Sequence, residues 1–483
     1  MLSKIFEIPN ELISRYYDDN EIGLSDYRTV FMRDRDRVLY CTAFRRLAGK
    51  TQIYTIGSDD HKRNRLTHSL EVSQIARTIS QSLGLNNDLT EAIALAHDLG
   101  HTPFGHAGEQ MLHKIMLPNS NFIKKSPFYQ TSSEEIEKTF EREQLLNATN
   151  IDNMFGFKHN IQSVRVAALL EDSYRGVNGE NIGLNLTNYT LWGILNHSRK
   201  LYAENDVYPN YQNRFSKNIE LKNQGSDAWS FEAYIVEIAD DIAQWHHDLE
   251  DAIRGGALPI KKICETIESS LGNKLYECDK TCLLKNQNIT RIDRKCISEL
   301  SHIVVNTLVN DIVETSKNNL DSIKKSLSSR FKDLKEDDIA KKLYKEYNSL
   351  DLDLKSNEVI SFSSSIQPDE FRQVIKGSVH HSRNVERMNE KGKYIIRKLF
   401  EAYYSHPQQL PDGPILHFMV DSGEYKNIDE AREHGTGEAR VKFDQIMKNP
   451  KIVHKSILMR RICDHIASMT DRYAIEEYNN LYG

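Results

Sequence analysis

Apolar residues recur at three- and four-residue intervals through most of this chain. The stretches SLEVSQIARTISQSLGL, LTEAIALAHDLG, IQSVRVAALLEDSY, FEAYIVEIADDIAQWHHDLEDAI and EKGKYIIRKLFEAYYSH all carry this spacing, which lays one apolar stripe along a helix of 3.6 residues per turn. Strand-like alternation is nearly absent. The pattern predicts a mostly α-helical fold. Gly84, Asn86 and Asn87 separate the first two of these helices, with Asp88 or Thr90 available to cap the second.

Polar interruptions divide the helical pattern. The chain is polar between about Pro118 and Asn150 and rich in Asn and Gly between about Gly176 and Asn188, and both stretches read as loops. From about Lys261 to Pro368 the composition shifts toward Lys, Ser, Asn and Asp while ordinary amphipathic helices continue. The expected organisation is therefore a core over 1–260, a peripheral helical subdomain over 261–370 acting as scaffold or regulatory surface, and a C-terminal helical region over 371–483. That last region would complete the core and supply oligomer contacts. No repeat of solenoid period is present.

Composition narrows the class further. A chain of 483 residues allows about two to four domain-sized units. A hydrophobic fraction of 39%, a charged fraction of 27% and 11 prolines exclude the collagenous, disordered and membrane classes. No apolar run is long enough to span a bilayer, and MLSKIFEIPNELISRYYDDNE has acidic residues where a signal peptide needs an apolar core. A cytoplasmic location is the expectation. The six cysteines (Cys41, Cys264, Cys278, Cys282, Cys296 and Cys463) are sparse, which suits reduced thiols. Cys278, Cys282, Cys296 and His302 can be imagined around zinc, but their spacing departs from paired knuckles and ordinary thiols are the simpler reading. A net charge of −6 argues against a protein that coats nucleic acid. The arginines of MRDRDRVLYCTAFRRLAGKTQ and HKRNRLTH read most simply as solvated faces paired with the interleaved aspartates. Beside a metal they would suit a polyphosphate.

The doublet His97-Asp98 is the most specific chemical signal. It follows the apolar run AIALA, where an unpaired carboxylate would be costly to bury. Successive residues on a helix point about 100° apart, so both side chains reach one ion only at the helix edge. His68, in RNRLTHSLEV, and Asp240, in EIADDIAQWHHDLED, can supply further bonds. Two nitrogens and two oxygens leave about two positions of an octahedron open, which favours Mg²⁺, Mn²⁺ or Fe²⁺ in a catalytic site over closed zinc. A lone histidine on a helix is more often structural, but the joint pattern points to a metal. Immediately downstream, Pro103 and Gly105 break the helix and a new one begins near Gly105, setting His106 and Glu109 at i and i+3 on one face. A histidine oriented by a carboxylate near a metal suits a general acid or base; without the metal set, a helix-start histidine with a capping glutamate reads equally well.

Read in order, RNRLTHSLEV, HDLGHTPFGHAGE, FKHNIQSVR and EIADDIAQWHHDLED resemble the HD-domain superfamily, specifically its deoxyguanosine triphosphate triphosphohydrolases and related dNTPases. The likeness begins at DRDRVLYCTAFRRLAGKTQ, resumes at RMNEKGKYIIRKLFEAYYSHPQQLP and closes with RRICDHIASMTDRYA. The resemblance implies an HD-type helical fold with an added helical subdomain. It implies hydrolysis of a dNTP, dGTP first among them, to the deoxynucleoside and inorganic triphosphate. His68, His97, Asp98 and Asp240 would bind the divalent metal, His106 assisted by Glu109 would be the catalytic pair, and Arg65, His101 and His159 would approach the phosphates. Gln52, in GKTQ, and Asp248 would contact the sugar 3′-hydroxyl. The resemblance also implies an even-numbered homo-oligomer such as a hexamer, and a nucleotide or single-stranded DNA as effector.

Two positions depart from the family pattern. Gln244 stands where a tyrosine usually packs on the sugar, and a Lys-Tyr phosphate pair is replaced near Asn196 and His197. Ribose discrimination and phosphate contacts are therefore expected to differ. Two other readings keep the same pocket: an HD phosphohydrolase acting on another nucleotide or single-stranded DNA, and a nucleotide-sensing oligomer with low turnover.

Overall fold

The computed structural model describes residues 4–20, 27–52, 63–116, 156–177, 179–196, 228–256, 258–286, 294–350, 352–380 and 383–483. The loop expected over 118–150 and His197 lie outside them. No strand occurs among the described residues, and no helix there is long and apolar enough to cross a membrane.

The first half of the chain forms α1 (Val30–Tyr40), α2 (Thr42–Arg46), α3 (Arg65–Leu83), α4 (Asn87–Ala96), α5 (Gly105–Ile115), α6 (His159–Arg165), α7 (Asn188–Asn196) and α8 (Phe231–Arg254). Local chemistry sets their ends. The Asn64 side chain accepts from Thr67 N to start α3, and Gly84 stops it in the left-handed region at φ 70°. Neither Asp88 nor Thr90 caps α4: Asn86 does, accepting from Leu89 N, because the cap must precede the first turn and reach three residues forward. A second expectation also changes. Helix α4 ends at Ala96, so His97 and Asp98 occupy the turn that follows it rather than a helix interior. Their orientations are consequently set by tertiary bonds as well as by helical periodicity.

Two large apolar cores flank the region where the chemistry-bearing residues meet. Helices α3, α4 and α8 bury Val72, Ile79, Leu89, Ile93, Ile238 and Ile242 against one another. Each fully buried aliphatic side chain of this kind contributes roughly 1.5–3 kcal/mol. The same core continues into α9 (Ile260–Leu271), α10 (Glu277–Asn286), α11 (Arg294–Arg330), α12 (Glu336–Glu346) and α13 (Pro368–His380) through Ile263, Leu308, Leu343 and Phe371. A second core joins α14 (Arg383–Ser405), α15 (Asp412–Asp421), α16 (Ile428–Glu433), α17 (Thr436–Lys448), α18 (Ile452–Ser468) and α19 (Asp471–Tyr482). Helix α5 belongs by packing to this second core, through Leu112 and Ile115. Residues close in sequence, His97 just after α4 and His106 on α5, thus depend on helices anchored in different cores.

Candidate active site

Four elements bring the doublet to its partners. His68 lies near the start of α3, Asp240 in the middle of α8, and His97 and Asp98 in the turn after α4. Ser163 of α6 holds that turn, its hydroxyl donating to His97 O at 2.8 Å and accepting from Gly100 N at 2.8 Å. A Cβ on Gly100 would stand 2.2 Å from Ser163 N, so only glycine permits this approach.

The donor atoms converge. His97 Nδ1 lies 2.7 Å from Ala94 O and must carry the proton there, which leaves the Nε2 lone pair facing Asp98 Oδ1 at 3.4 Å and Asp240 Oδ1 at 3.9 Å. A lone pair aimed at two carboxylate oxygens is repulsive unless a proton or cation lies between them. His68 Nε2 lies 2.8 Å from Asp240 Oδ1, and ligating atoms of His68, His97 and Asp98 all fall within 4.8 Å of one another. Three of these residues are buried, whereas the Asp240 side chain keeps 30% exposure and opens the group to solvent. Two imidazoles and two carboxylates around a partly open point fit a divalent cation.

Burial alone would raise the Asp98 carboxyl, but its interactions with His101, His97 and Arg65 outweigh it and hold Asp98 well below the usual range. Asp240 is likewise held low, against its burial, by the hydrogen bond and charge of His68. Arg65, 2% exposed, donates from Nη1 to Asp98 Oδ2 at 2.7 Å. Its Nε and Nη2 have no hydrogen-bond partner among the described residues. A buried guanidinium in that state offers two directed donors to an incoming oxyanion.

A second group adjoins the first. His101 Nε2 stands 3.1 Å from Asp98 Oδ1, and its ring stacks on His159 with centroids 3.9 Å apart. Glu109 of α5 receives Lys158 Nζ at 2.6 Å and meets His159 Nδ1 at 2.5 Å. Burial would raise Glu109, yet His159, Lys158 and His106 keep it well below the carboxylate range. Its hydrogen bonds go to Lys158 and His159 at the start of α6, with the His106 ring within 4.8 Å as a third neighbour. His106 is reached by solvent although protein surrounds it, and desolvation lowers its imidazole, which stays neutral near pH 7. Lys158 carries no mark of its own in FKHNIQSVR and emerges only from the fold.

The sugar-contact candidates flank this centre. Gln52 is half-buried, and its Oε1 has no partner among the described residues. Its backbone carbonyl oxygen would lie 3.5 Å from a Cβ on Gly105, at the start of α5. Asp248 is buried on α8, eight residues beyond Asp240, with half-buried Gln244 between them. Asn196 is buried and donates to Trp192 O at 3.1 Å, within its own helix α7.

Burial pushes the Asp248 carboxyl up to about 7, with Asp251 adding to the rise and Lys376 and Arg372 opposing it. The folded chain then keeps a proton that the unfolded chain releases above the ordinary value of 3.8. Stability is lost as pH rises through that window. Urea unfolding of Asp248→Asn against the parent should show a growing advantage for the variant from about pH 4 to pH 7. A difference that does not change with pH would contradict this origin.

A third cluster, Glu71, His246 and His247, also gathers ligand-type atoms. Arg63 already donates to Glu71 at 3.2 Å and to Glu250 at 2.9 Å, while His246 Nε2 lies 3.4 Å from Glu250. These groups neutralise one another and tie α3 to α8. Among the cysteine-region residues, exposed Cys278 and His302, whose Nε2 is bonded to Asn306, join no ligand group.

Comparison with known proteins gives this arrangement its class. Residues 65–285 match the HD domain, and 360–446 and 450–480 match the phosphohydrolase-associated domain, so fold and site define an HD-domain hydrolase. A deoxyguanosinetriphosphate triphosphohydrolase-like protein of Rickettsia rickettsii is 31% identical over 482 residues, spanning 100% of this chain and 98% of its own. One of Geobacter metallireducens is 30% identical over 463 residues, spanning 95% of this chain and 89% of its own. The chain belongs to this family of deoxyguanosinetriphosphate triphosphohydrolase-like HD proteins.

Proposed function

We propose that the protein hydrolyses a deoxynucleoside triphosphate to the deoxynucleoside and inorganic triphosphate, with a divalent metal bound by His68, His97, Asp98 and Asp240. The observation that carries this reading is the convergence of those four side chains beside Arg65, whose two remaining donors face no hydrogen-bond partner among the described residues. The names of the relatives support a nucleotide substrate.

Bound there, a Mg²⁺ or Mn²⁺ ion supplies Lewis-acid polarisation of a phosphoryl oxygen. The other steps belong to the chain. Arg65, with His101 and His159, binds and orients the phosphates. His106, neutral near pH 7, takes the proton from the attacking water, and Glu109 balances the resulting imidazolium. The new bond joins water oxygen to the α-phosphorus, the bond to O5′ breaks, and a proton passes to O5′. Gln52 and Asp248 hold the sugar 3′-hydroxyl. With Gln244 in place of an aromatic ring, the ribose 2′-position is less tightly enclosed.

The test is a product assay. Purified protein with Mn²⁺ or Mg²⁺ is offered each dNTP and rNTP, with and without a second nucleotide. Deoxynucleoside and triphosphate are the expected products; release of monophosphate and pyrophosphate would sink the proposal.

A further inference from the structure

The C-terminal segment MTDRYA has no part in the steps above, yet its aspartate bonds to two loops that border the site. Asp471 is the first residue of α19 and is 1% exposed. Its Oδ2 accepts from Thr51 N at 3.1 Å and from the Thr51 hydroxyl, and its Oδ1 accepts from Phe104 N at 2.9 Å. All three donors come from distant chain, none from its own helix. Thr51 immediately precedes Gln52. Phe104 immediately precedes α5, which carries His106 and Glu109.

The two loops held by this carboxylate need an external hold. Phe104 adopts φ 60°, a left-handed conformation that costs a non-glycine residue about 1–3 kcal/mol and persists only when its surroundings fix it. Gly392 of α14 leaves room for it: a Cβ there would meet Phe104 Cβ at 2.7 Å. On the other loop, a Cβ on Gly49 would meet Thr470 Cγ2 at 2.6 Å. Lys50 Nζ donates to Ala467 O at 2.8 Å and also to His101 O. Residues 467–471 therefore touch both loops, and one carboxylate bonds to both.

We infer that Asp471 is a positioning residue: its carboxylate sets the Gln52 loop and the His106 helix at a fixed separation, so the C-terminal core governs the geometry of the reaction centre. The kinetic part of this inference rests on the function proposed above. Misplacement by about 1 Å can cost on the order of 100-fold in rate, which sets the scale.

The experiment compares the full-length parent with Asp471→Asn and Thr51→Val. Measured quantities are metal content, kcat per metal-loaded site and amide hydrogen exchange. For Asp471→Asn the expected result is unchanged metal content, a fall in kcat of about 10- to 100-fold, and faster exchange confined to peptides covering 50–52 and 102–106. Thr51→Val removes one of the three donors and should give a smaller fall of the same kind. It decides the matter should Asp471→Asn fail to fold. A kcat within about twofold of the parent, or faster exchange spread through α14 and α18, would overturn the inference. Should the parent hydrolyse no dNTP, the proposed substrate fails, and exchange alone decides: local acceleration sustains the inference and unchanged exchange ends it.

Discussion

Asp240→Asn should yield a folded protein that no longer retains a divalent cation and turns over its nucleotide at least about 10³-fold more slowly. The substitution is nearly isosteric, and the side chain is partly open, so the apolar core around α8 is untouched. What changes is charge. The two imidazoles keep their places, but one of the two anionic oxygens that make the point attractive to a cation is gone, and an amide nitrogen can turn toward His68 instead. Metal polarisation is worth several kcal/mol at a phosphoryl transition state, and each 1.36 kcal/mol is tenfold in rate. Elemental analysis after gel filtration, set beside the rate, checks both halves. Full metal content with a rate within tenfold of the parent would remove Asp240 from the ligand set.

Asp464→Ala should be the most destabilising single change outside the centre, by about 3–5 kcal/mol. Asp464 of α18 is buried and accepts from Arg165 at 2.8 and 2.9 Å, from Arg460 at 3.1 Å and from Gln162 at 3.0 Å. Arg461 stands 3.6 Å away. Removing the carboxylate leaves buried guanidinium groups uncompensated, which is worse than never having buried the pair. Because Gln162 and Arg165 lie on α6 with His159, the variant should lose activity in step with the order of that helix. Burial would raise this carboxyl, but Arg165 and Arg460 hold it well below its ordinary value of 3.8. The stabilisation is then complete above that value and fades as pH falls below it. Urea midpoints should differ most near neutral pH and converge in acid; a gap that is small at pH 7 would show that water or rearranged arginines replace the carboxylate.

Much of the site is legible in the chain because its members have types and surroundings that a structural role would not need. A His-Asp doublet after five apolar residues, a second histidine near the start of an apolar-patterned helix and an aspartate in the middle of another point to one ion. Helical type is equally legible, since periodicity over ten or more residues leaves little choice. The ends are less so: Asn86, Asp88 and Thr90 are all competent caps, and only backbone geometry selected Asn86. The partner of Glu109 was also hidden. Spacing puts it one turn from His106, but Lys158 and His159, some fifty residues later, reach its oxygens.

The sequence by itself determined the helical class, the candidate metal ligands His68, His97, Asp98 and Asp240, and the kinship that those motifs carry, because each depends on residue type and short-range spacing. Tertiary structure alone decided that α5 packs with the C-terminal helices while α3, α4 and α8 pack elsewhere, and that Asp471 closes on Thr51 and Phe104 across more than 360 residues. Hydrophobic burial is non-directional, so an apolar stripe says that a helix is covered without saying by which neighbour. The directed bonds that complete the site follow from that choice of neighbour.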